Sequence, residues 1–408
     1  MVSAVEAALS PWAHHFKAKA NLPVLLRWGG HGESAGIQFA LGDFDRPKVE
    51  IVVMQASAVP LLVSPSLETL GEAYVEGKID VQGNVSDLLE VAHRMAEAGA
   101  GPQGRFARAV RSFTHNKRRD REAIEYHYDL SNEFYQAWLD PAMVYSCAYF
   151  ENGDETLEQA QQKKLDHILT KLRLQPGQSL LDIGCGWGAL VIRAAQKYGA
   201  RCLGVTLSRN QFELANERVR AAGLQGQVEV RQQDYRDLSG QFDRISSVGM
   251  FEHVGLKHLS EYFTKMRDLL APEGWAMNHG ITTSDANDGE ASLGGGRFID
   301  RYVFPQGELP HISTVLKSMQ TGGLEALDVE NLRRHYARTM SCWSEGFERN
   351  ADKLRAMVDE KRWRIWRIYL AGCQWAFEND EISLYQVLCC KSGRAAQEQP
   401  WSRRWMYA

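Results

Sequence analysis

The residues best suited to chemistry in this chain stand around a run of alternate glycines. In Leu180-Leu-Asp-Ile-Gly-Cys-Gly-Trp-Gly188 an acid, Asp182, sits inside a strand-like stretch that runs into Gly184, Gly186 and Gly188. Glycines so spaced let the backbone turn with positive φ and let a ligand come close, and they cost stability unless the backbone needs them. The helix read from Ala189 to Lys197 offers free N–H groups at its start. Strand, glycine turn and helix start together make a cradle for a nucleotide-like ligand, with Asp182 able to accept a hydrogen bond from a cationic or hydroxylated part of it. Four more sets stand where later strands should end: Thr206 to Gln211, Asp234-Tyr235, Gly249-Met-Phe-Glu252-His253 and His279-Gly-Ile281. The first two suit a cofactor, Asp234 accepting from an adenine amino group and Tyr235 lying beside the ring. The last two add a carboxylate, Glu252, and an imidazole, His279.

These side chains converge only if the elements that carry them share one sheet. The pattern predicts strands at 179–183, 201–205, 227–231, 243–248 and 274–279, with helices at 156–172, 188–197, 209–222 and 258–270. Such alternation implies an α/β fold, a doubly wound and mostly parallel sheet covered on both faces. Ligands bind such sheets at the carboxyl ends of the strands. Ahead of it, strand-like runs at Val24 to Trp28, Ile37 to Leu41 and Val49 to Val53 precede helices at Leu67 to Tyr74 and Val85 to Met95. The expected organisation is therefore a small α+β domain over 1–104, a basic linker over 105–122 rich in arginine, and a catalytic domain over 123–408.

Two cofactor patterns compete for the glycine loop. Gly184-x-Gly186-x-x-Ala189 fits a loose dinucleotide fingerprint. That fingerprint expects an acid roughly 20 residues on, whereas the strand from Arg201 ends in Thr206-Leu-Ser208. The pattern Asp-x-Gly-x-Gly-x-Gly resembles motif I of class I S-adenosylmethionine (SAM) methyltransferases. Wider stretches resemble the cyclopropane-fatty-acyl-phospholipid synthase family: His127-Tyr-Asp-Leu-Ser-Asn-Glu-Phe-Tyr135, Tyr145-Ser-Cys-Ala-Tyr-Phe150, Leu181 to Gly188, Gly204 to Gln211, Phe251-Glu-His-Val-Gly255, His279-Gly-Ile-Thr282 and His335-Tyr-Ala-Arg-Thr339. They run in the family's order over residues 120–392.

The resemblance implies a reaction. A cis double bond in a phospholipid acyl chain attacks the sulfonium methyl of SAM, a carbocation forms, and a base takes a proton from the former methyl group as the ring closes. The family holds a bicarbonate ion as that base. By resemblance, Cys147, Glu252, His279, Ile281 and Tyr336 match the bicarbonate site, Ile281 through its backbone. Tyr145 and Ser146 would close over the methionine end of SAM, which Gly184 and Gly186 line. Thr206, Leu207 and Gln211 would meet ribose and adenine, and Tyr235 and Arg236 the adenine edge. Tyr145, Phe150 and Tyr336 could shield and stabilise the cation. Cys373 is read as structural, because no thiolate is needed. A related site could instead give a methyl-branched or methylene chain, or methylate a small-molecule amine. A non-catalytic lipid- or SAM-binding protein would show damage at the glycine loop or Glu252, and neither is damaged.

Composition sets the outer bounds. The 408 residues suit two or three domains, and 44% hydrophobic with 24% charged residues is ordinary for a globular protein. A net charge of −4 gives no global reason to bind nucleic acid. Seven cysteines without a Cys-x-x-Cys pair argue against a disulfide framework or a zinc site. With no signal-like or membrane-spanning run in view, a cytoplasmic enzyme is expected, peripherally bound at the inner face of the membrane where its unsaturated phospholipid lies. The basic stretch 105–121 is one possible contact. The aromatic and cationic run Lys361 to Leu370 reads either as an interfacial helix or as a core helix lining an acyl channel. The family's habit makes a homodimer an expectation.

Overall fold

The computed structural model describes residues 2–29, 36–99, 130–287, 295–303, 308–393 and 400–407. The linker expected at 105–122 and the first residues of the motif at 127–135 lie outside these. The described residues within Met1–Val110, Glu290–Pro305 and Phe347–Ala376 form one compact unit. Those within Arg111–Gly289, Gln306–Gly346 and Phe377–Ala408 form the other.

In the first unit, Val24–Trp28 (β1), Gln38–Ala40 (β2), Val49–Val53 (β3) and Ile79–Gly83 (β4) make a sheet in the order β2-β1-β3-β4. β1 and β3 are parallel, and the other pairs antiparallel. The strands alternate as apolar runs with one buried face must, and Leu26, Ile51 and Val53 join Phe16, Leu62, Tyr74 and Met95 in a core. Late sequence completes that core: Ala371, Ile368 and Trp375 of the helix Glu360–Glu378 pack into it. Trp375 stacks on His93, Arg364 donates to the Tyr74 carbonyl at 2.8 Å, and Arg367 donates to the Tyr74 hydroxyl at 3.1 Å. Trp363, Ile365, Trp366, Tyr369 and Leu370 are all buried. The run 361–370 is thus a core helix, with Arg364 and Arg367 paired within the unit and its apolar side chains turned into that unit's core. The helix Val2–Ala20 and the short, half-polar β4 lacked a sequence signal.

The second unit carries a seven-stranded sheet: Ser179–Ile183 (β5), Arg201–Thr206 (β6), Val228–Gln232 (β7), Phe242–Val248 (β8), Leu270–Thr283 (β9), Leu324–Asn331 (β10) and Ile382–Lys391 (β11). Their order is β10-β11-β9-β8-β5-β6-β7. Pairs from β9 through β7 are parallel, while β11 is antiparallel to both neighbours. From β5 the chain winds outward to β7, then returns to lay β8 on the other side of β5. The carboxyl ends of β5 and β8 therefore flank a crevice at the point where strand order reverses. One apolar layer lies under the helices Leu157–Lys171 and Ala189–Tyr198, with Leu169, Val191, Leu180 and Met277. The other lies under Leu259–Leu269, with Phe263, Met266, Ile245 and Ala276. The helix Leu157–Lys171 starts with a capping box between Thr156 and Gln159. It buries a polar stripe as well: Gln161, Lys164, His167 and Lys171 are all under 8% exposed.

β9 is longer than its expected core of 274–279, and β10 and β11 were not anticipated. Among the described residues no helix is long and apolar enough to cross a membrane.

Candidate active site

The crevice at the strand reversal opens into a cavity of about 390 Å³. It is lined by Tyr145, Ser146, Asp182, Gly184, Gly186, Thr206, Leu207, Gln211, Asp234, Tyr235, Arg236 and Gly249. Of the thirteen residues assigned to the cofactor from sequence, Gly188 alone is absent from the lining. It is the αL residue before the helix Ala189–Tyr198, and a Cβ there would stand 3.2 Å from Ala215 Cβ. Its lack of a side chain therefore lets two helices pack. Gly186 (φ 54°) and Gly249 (φ 65°) differ, since nothing lies within 4 Å of where their Cβ would stand. Both present bare, left-handed backbone to open space, which is the cradle that a close-fitting cofactor requires.

The cavity wall is polar and ordered. Asp182 is buried and accepts from Ser246 Oγ at 2.6 Å. Burial pushes its carboxyl up to about 6, against the pull of that bond and of Lys164. Thr206 Oγ1 donates to Gln211 Oε1 at 2.7 Å and accepts from Ser208 N–H at 3.2 Å. Asp234 is gripped by Arg236, whose Nη2 donates to Oδ2 at 2.7 Å and whose backbone N–H donates to Oδ1 at 2.9 Å. The carboxylate left over for an adenine amino group is thus already oriented. The Tyr235 ring stands edge-on to Tyr262 at 5.6 Å. Sequence reasoning missed Lys164, His258, Glu261, Tyr262 and Lys265, all in the lining, where Met250 and His253 of the strand-end set also stand. Lys164 matters most: its buried ammonium donates to Ser146 Oγ at 2.7 Å, and burial pulls it down to about 8.

The five residues matched to the oxyanion site stand outside the cavity lining, on the elements bordering it. Glu252 lies in the turn Phe251–His253, between the lining residues Met250 and His253. Its Oε1 accepts from the Ile281 N–H at 2.8 Å, while the buried Oε2 has no partner among the described residues. Burial pushes this carboxyl up to about 7, opposed by the Ile281 bond. The turn is seated by Gly280, where a Cβ would come within 2.0 Å of the Phe251 ring. Only a bare backbone at 280 lets Phe251 lie flat on β9 and bring Glu252 to Ile281.

His279 is fully buried on β9, and its carbonyl accepts from the Gly249 N–H at 2.8 Å. Its Nδ1 meets Gln386 Nε2 at 3.2 Å, and its Nε2 has no partner among the described residues. Burial, then the charges of Lys164 and Lys171, hold its pKa well below the usual range, so the ring is neutral. The Cys147 thiol is buried beside the Ala148 and Leu332 carbonyls, and burial raises its pKa strongly. It is no nucleophile at neutral pH. Tyr336 packs on Phe377 at 4.5 Å and on Trp343 at 5.9 Å, and Trp343 lies 5.1 Å from Tyr145. A wall of aromatic faces therefore runs from the cavity to Tyr336. Phe150 sits apart from it, in a small apolar cluster with Ala148 and Ala160. The Cys373 thiol is pushed up to about 12 by burial, which suits a structural role.

Comparison with known proteins bears on this site. Residues 115–387 match the family described as mycolic acid cyclopropane synthetase, and residues 12–101 match a domain of unknown function (DUF7884). The chain is 47% identical over 391 residues to a protein of Pseudomonas putida named "Probable fatty acid methyltransferase", covering 95% of this chain and 97% of that one. It is 40% identical over 262 residues to the cyclopropane-fatty-acyl-phospholipid synthase of Escherichia coli, covering 64% of this chain and 66% of that one. A crystal structure of a mycolic acid cyclopropane synthase complexed with S-adenosylhomocysteine and the detergent CTAB superposes with a TM-score of 0.63. It has 34% identity and covers 66% of this chain and 98% of that one.

Proposed function

The chain belongs to the mycolic acid cyclopropane synthetase family and is a SAM-dependent methyltransferase, and from that premise we propose that it adds a methylene unit across a cis double bond of a phospholipid acyl chain. The observation that best supports ring closure is a pair of buried, unpartnered polar atoms, Glu252 Oε2 on the turn after β8 and His279 Nε2 on β9, on the elements that border the cofactor cavity. Buried polar atoms are rarely left unpaired without a purpose. A small hydrogen-bearing anion fits this pair: His279 offers an N–H to an oxygen, and Glu252 accepts an O–H. Bicarbonate, held there with the Ile281 backbone and Tyr336, would supply the base.

SAM supplies an electrophilic methyl group when bound. Gly184, Gly186 and Gly249 shape its seat, Thr206 and Gln211 present neutral polar groups to the ribose, and the Tyr145-Ser146 segment is clamped by Lys164. The cation on the acyl chain has to be kept from water, and Tyr145, Trp343 and Tyr336 supply aromatic faces toward which positive charge is attracted. No side chain need act as nucleophile, which agrees with the inert Cys147.

A second reading is favoured by the name of the Pseudomonas putida relative: a methyl-branched or methylene product on a fatty acyl chain. The test incubates the pure protein with SAM and vesicles of cis-unsaturated phospholipid, with and without added bicarbonate in degassed buffer. Cyclopropyl protons in the NMR spectrum of the extracted lipid are expected. An added methylene unit on an intact alkene would favour the second reading, and no mass gain would refute both.

A further inference from the structure

Beneath His279 is a buried polar relay that lies outside the lining of the cofactor cavity. The Lys171 ammonium, fully buried, donates to Glu330 Oε2 at 2.5 Å and to Gln386 Oε1 at 3.3 Å, and stands 3.4 Å from Asp328 Oδ2 as an ion pair. Glu330 also meets His167 at 2.8 Å, and Asp328 meets Arg403 at 2.6 Å. An ammonium has donors only. It therefore fixes which end of the Gln386 amide faces it, the carbonyl oxygen. With Oε1 turned to Lys171, the NH₂ group must face His279 Nδ1, 3.2 Å away. A donor on that side requires Nδ1 to be bare, so the single proton of the neutral ring sits on Nε2.

We infer that Gln386, oriented by Lys171, is a positioning residue that locks His279 in the Nε2–H tautomer, making the imidazole a hydrogen-bond donor and not the base. This rests on the oxyanion role proposed for His279. The relay explains two features together. It provides a partner for Nδ1 while leaving Nε2 unpartnered, and it opposes a second proton, because an Nδ1–H would meet the Gln386 NH₂ head-on. A ring so held can steady an anion yet cannot accept a proton from the acyl chain. The proton must then leave through the bound anion or Glu252.

The test uses the full-length protein, labelled with ¹⁵N-histidine and loaded with S-adenosylhomocysteine. The His279 signals are identified by their loss in His279→Asn. Long-range ¹H–¹⁵N spectra report the tautomer directly. A neutral Nε2–H ring from pH 6 to 8 is expected, and an Nδ1–H or charged ring in the unaltered protein would overturn the inference without any relay variant. Gln386→Glu keeps the size and the bond to Lys171 but presents only acceptors to Nδ1. It should turn the tautomer over and lower kcat by about 10²–10³, the usual loss for one oxyanion donor. The KM for SAM should stay within about twofold, since neither Gln386 nor His279 lines the cofactor cavity. An unchanged tautomer in Gln386→Glu would refute the relay. A reversed tautomer with full kcat would refute the oxyanion role on which it rests.

Discussion

Glu252→Gln should separate what the site costs the fold from what it does for the reaction. The Glu252 carboxyl is buried, holds one hydrogen bond from the Ile281 N–H and leaves its second oxygen bare, and its pKa is raised from 4.5 to about 7. At ~1.36 kcal/mol per tenfold step, that rise corresponds to about 3 kcal/mol against the charged form. Because the folded pKa lies above the unfolded one, the folded state binds the extra proton. The contribution to stability is complete below about pH 4.5 and is lost as pH rises through about 7. A glutamine keeps the shape and the Ile281 bond but has no charge to desolvate. Relative to the unaltered protein, Glu252→Gln should therefore gain about 2–3 kcal/mol between pH 5 and pH 8, read as diverging midpoints in urea unfolding. In the same sample turnover should fall by about 10²–10³, while S-adenosylhomocysteine still binds. A stability difference that stays constant across this pH range would refute the desolvated carboxyl, and with it the argument that the site is built to be completed by an anion.

Lys164→Met removes the ammonium that anchors Ser146. A hydrogen bond from a charged group to a buried partner is worth about 1.5–3 kcal/mol, so calorimetry should show cofactor affinity weakened at least about tenfold. An unchanged Kd would show that the Tyr145-Ser146 segment holds itself. Gly280→Ala puts a methyl group 2.0 Å from the Phe251 ring. Overpacking of that kind costs about 1–3 kcal/mol, so Tm should fall, and kcat with it because Phe251 carries Glu252. Full activity and an unshifted Tm would contradict the seating of that turn. A fragment of residues 1–110 should show no cooperative unfolding by circular dichroism, since Ile368, Ala371 and Trp375 are missing from its core; a sharp transition would refute their importance.

The sheet was legible where the code is local. β5 and β6 follow from apolar runs closed by glycine or by Thr-x-Ser, and the helix expected at 209–222 is observed as Arg209–Ala221. β10 was hidden because Leu324-Glu-Ala-Leu-Asp-Val-Glu-Asn331 is half polar, as an edge strand should be. β11 was hidden because an apolar run buried on both faces has no period to read. The cofactor residues, and Glu252 and Ile281 too, stand within a few positions of strand ends and could be named from them, but that Glu252 and Ile281 meet depends on folding, and their common site was reached by resemblance. The buried stripe Gln161, Lys164, His167 and Lys171 was not legible at all. A polar face at helical spacing normally turns to water, and its partners Glu330 and Gln386 arrive 159 and 215 residues after Lys171.

The route by which the chain completes its first unit also orders its synthesis. Domains usually fold as they leave the ribosome, the earliest first. Here β1 to β4 emerge early, yet the helix that carries Trp375 onto His93 is translated after every strand of the second sheet except β11. The early strands must wait, part of their apolar face uncovered, until the helix Glu360–Glu378 has been made. Factors that shelter nascent chains should therefore be needed most for the part of this enzyme that is furthest from its chemistry in sequence and earliest to appear.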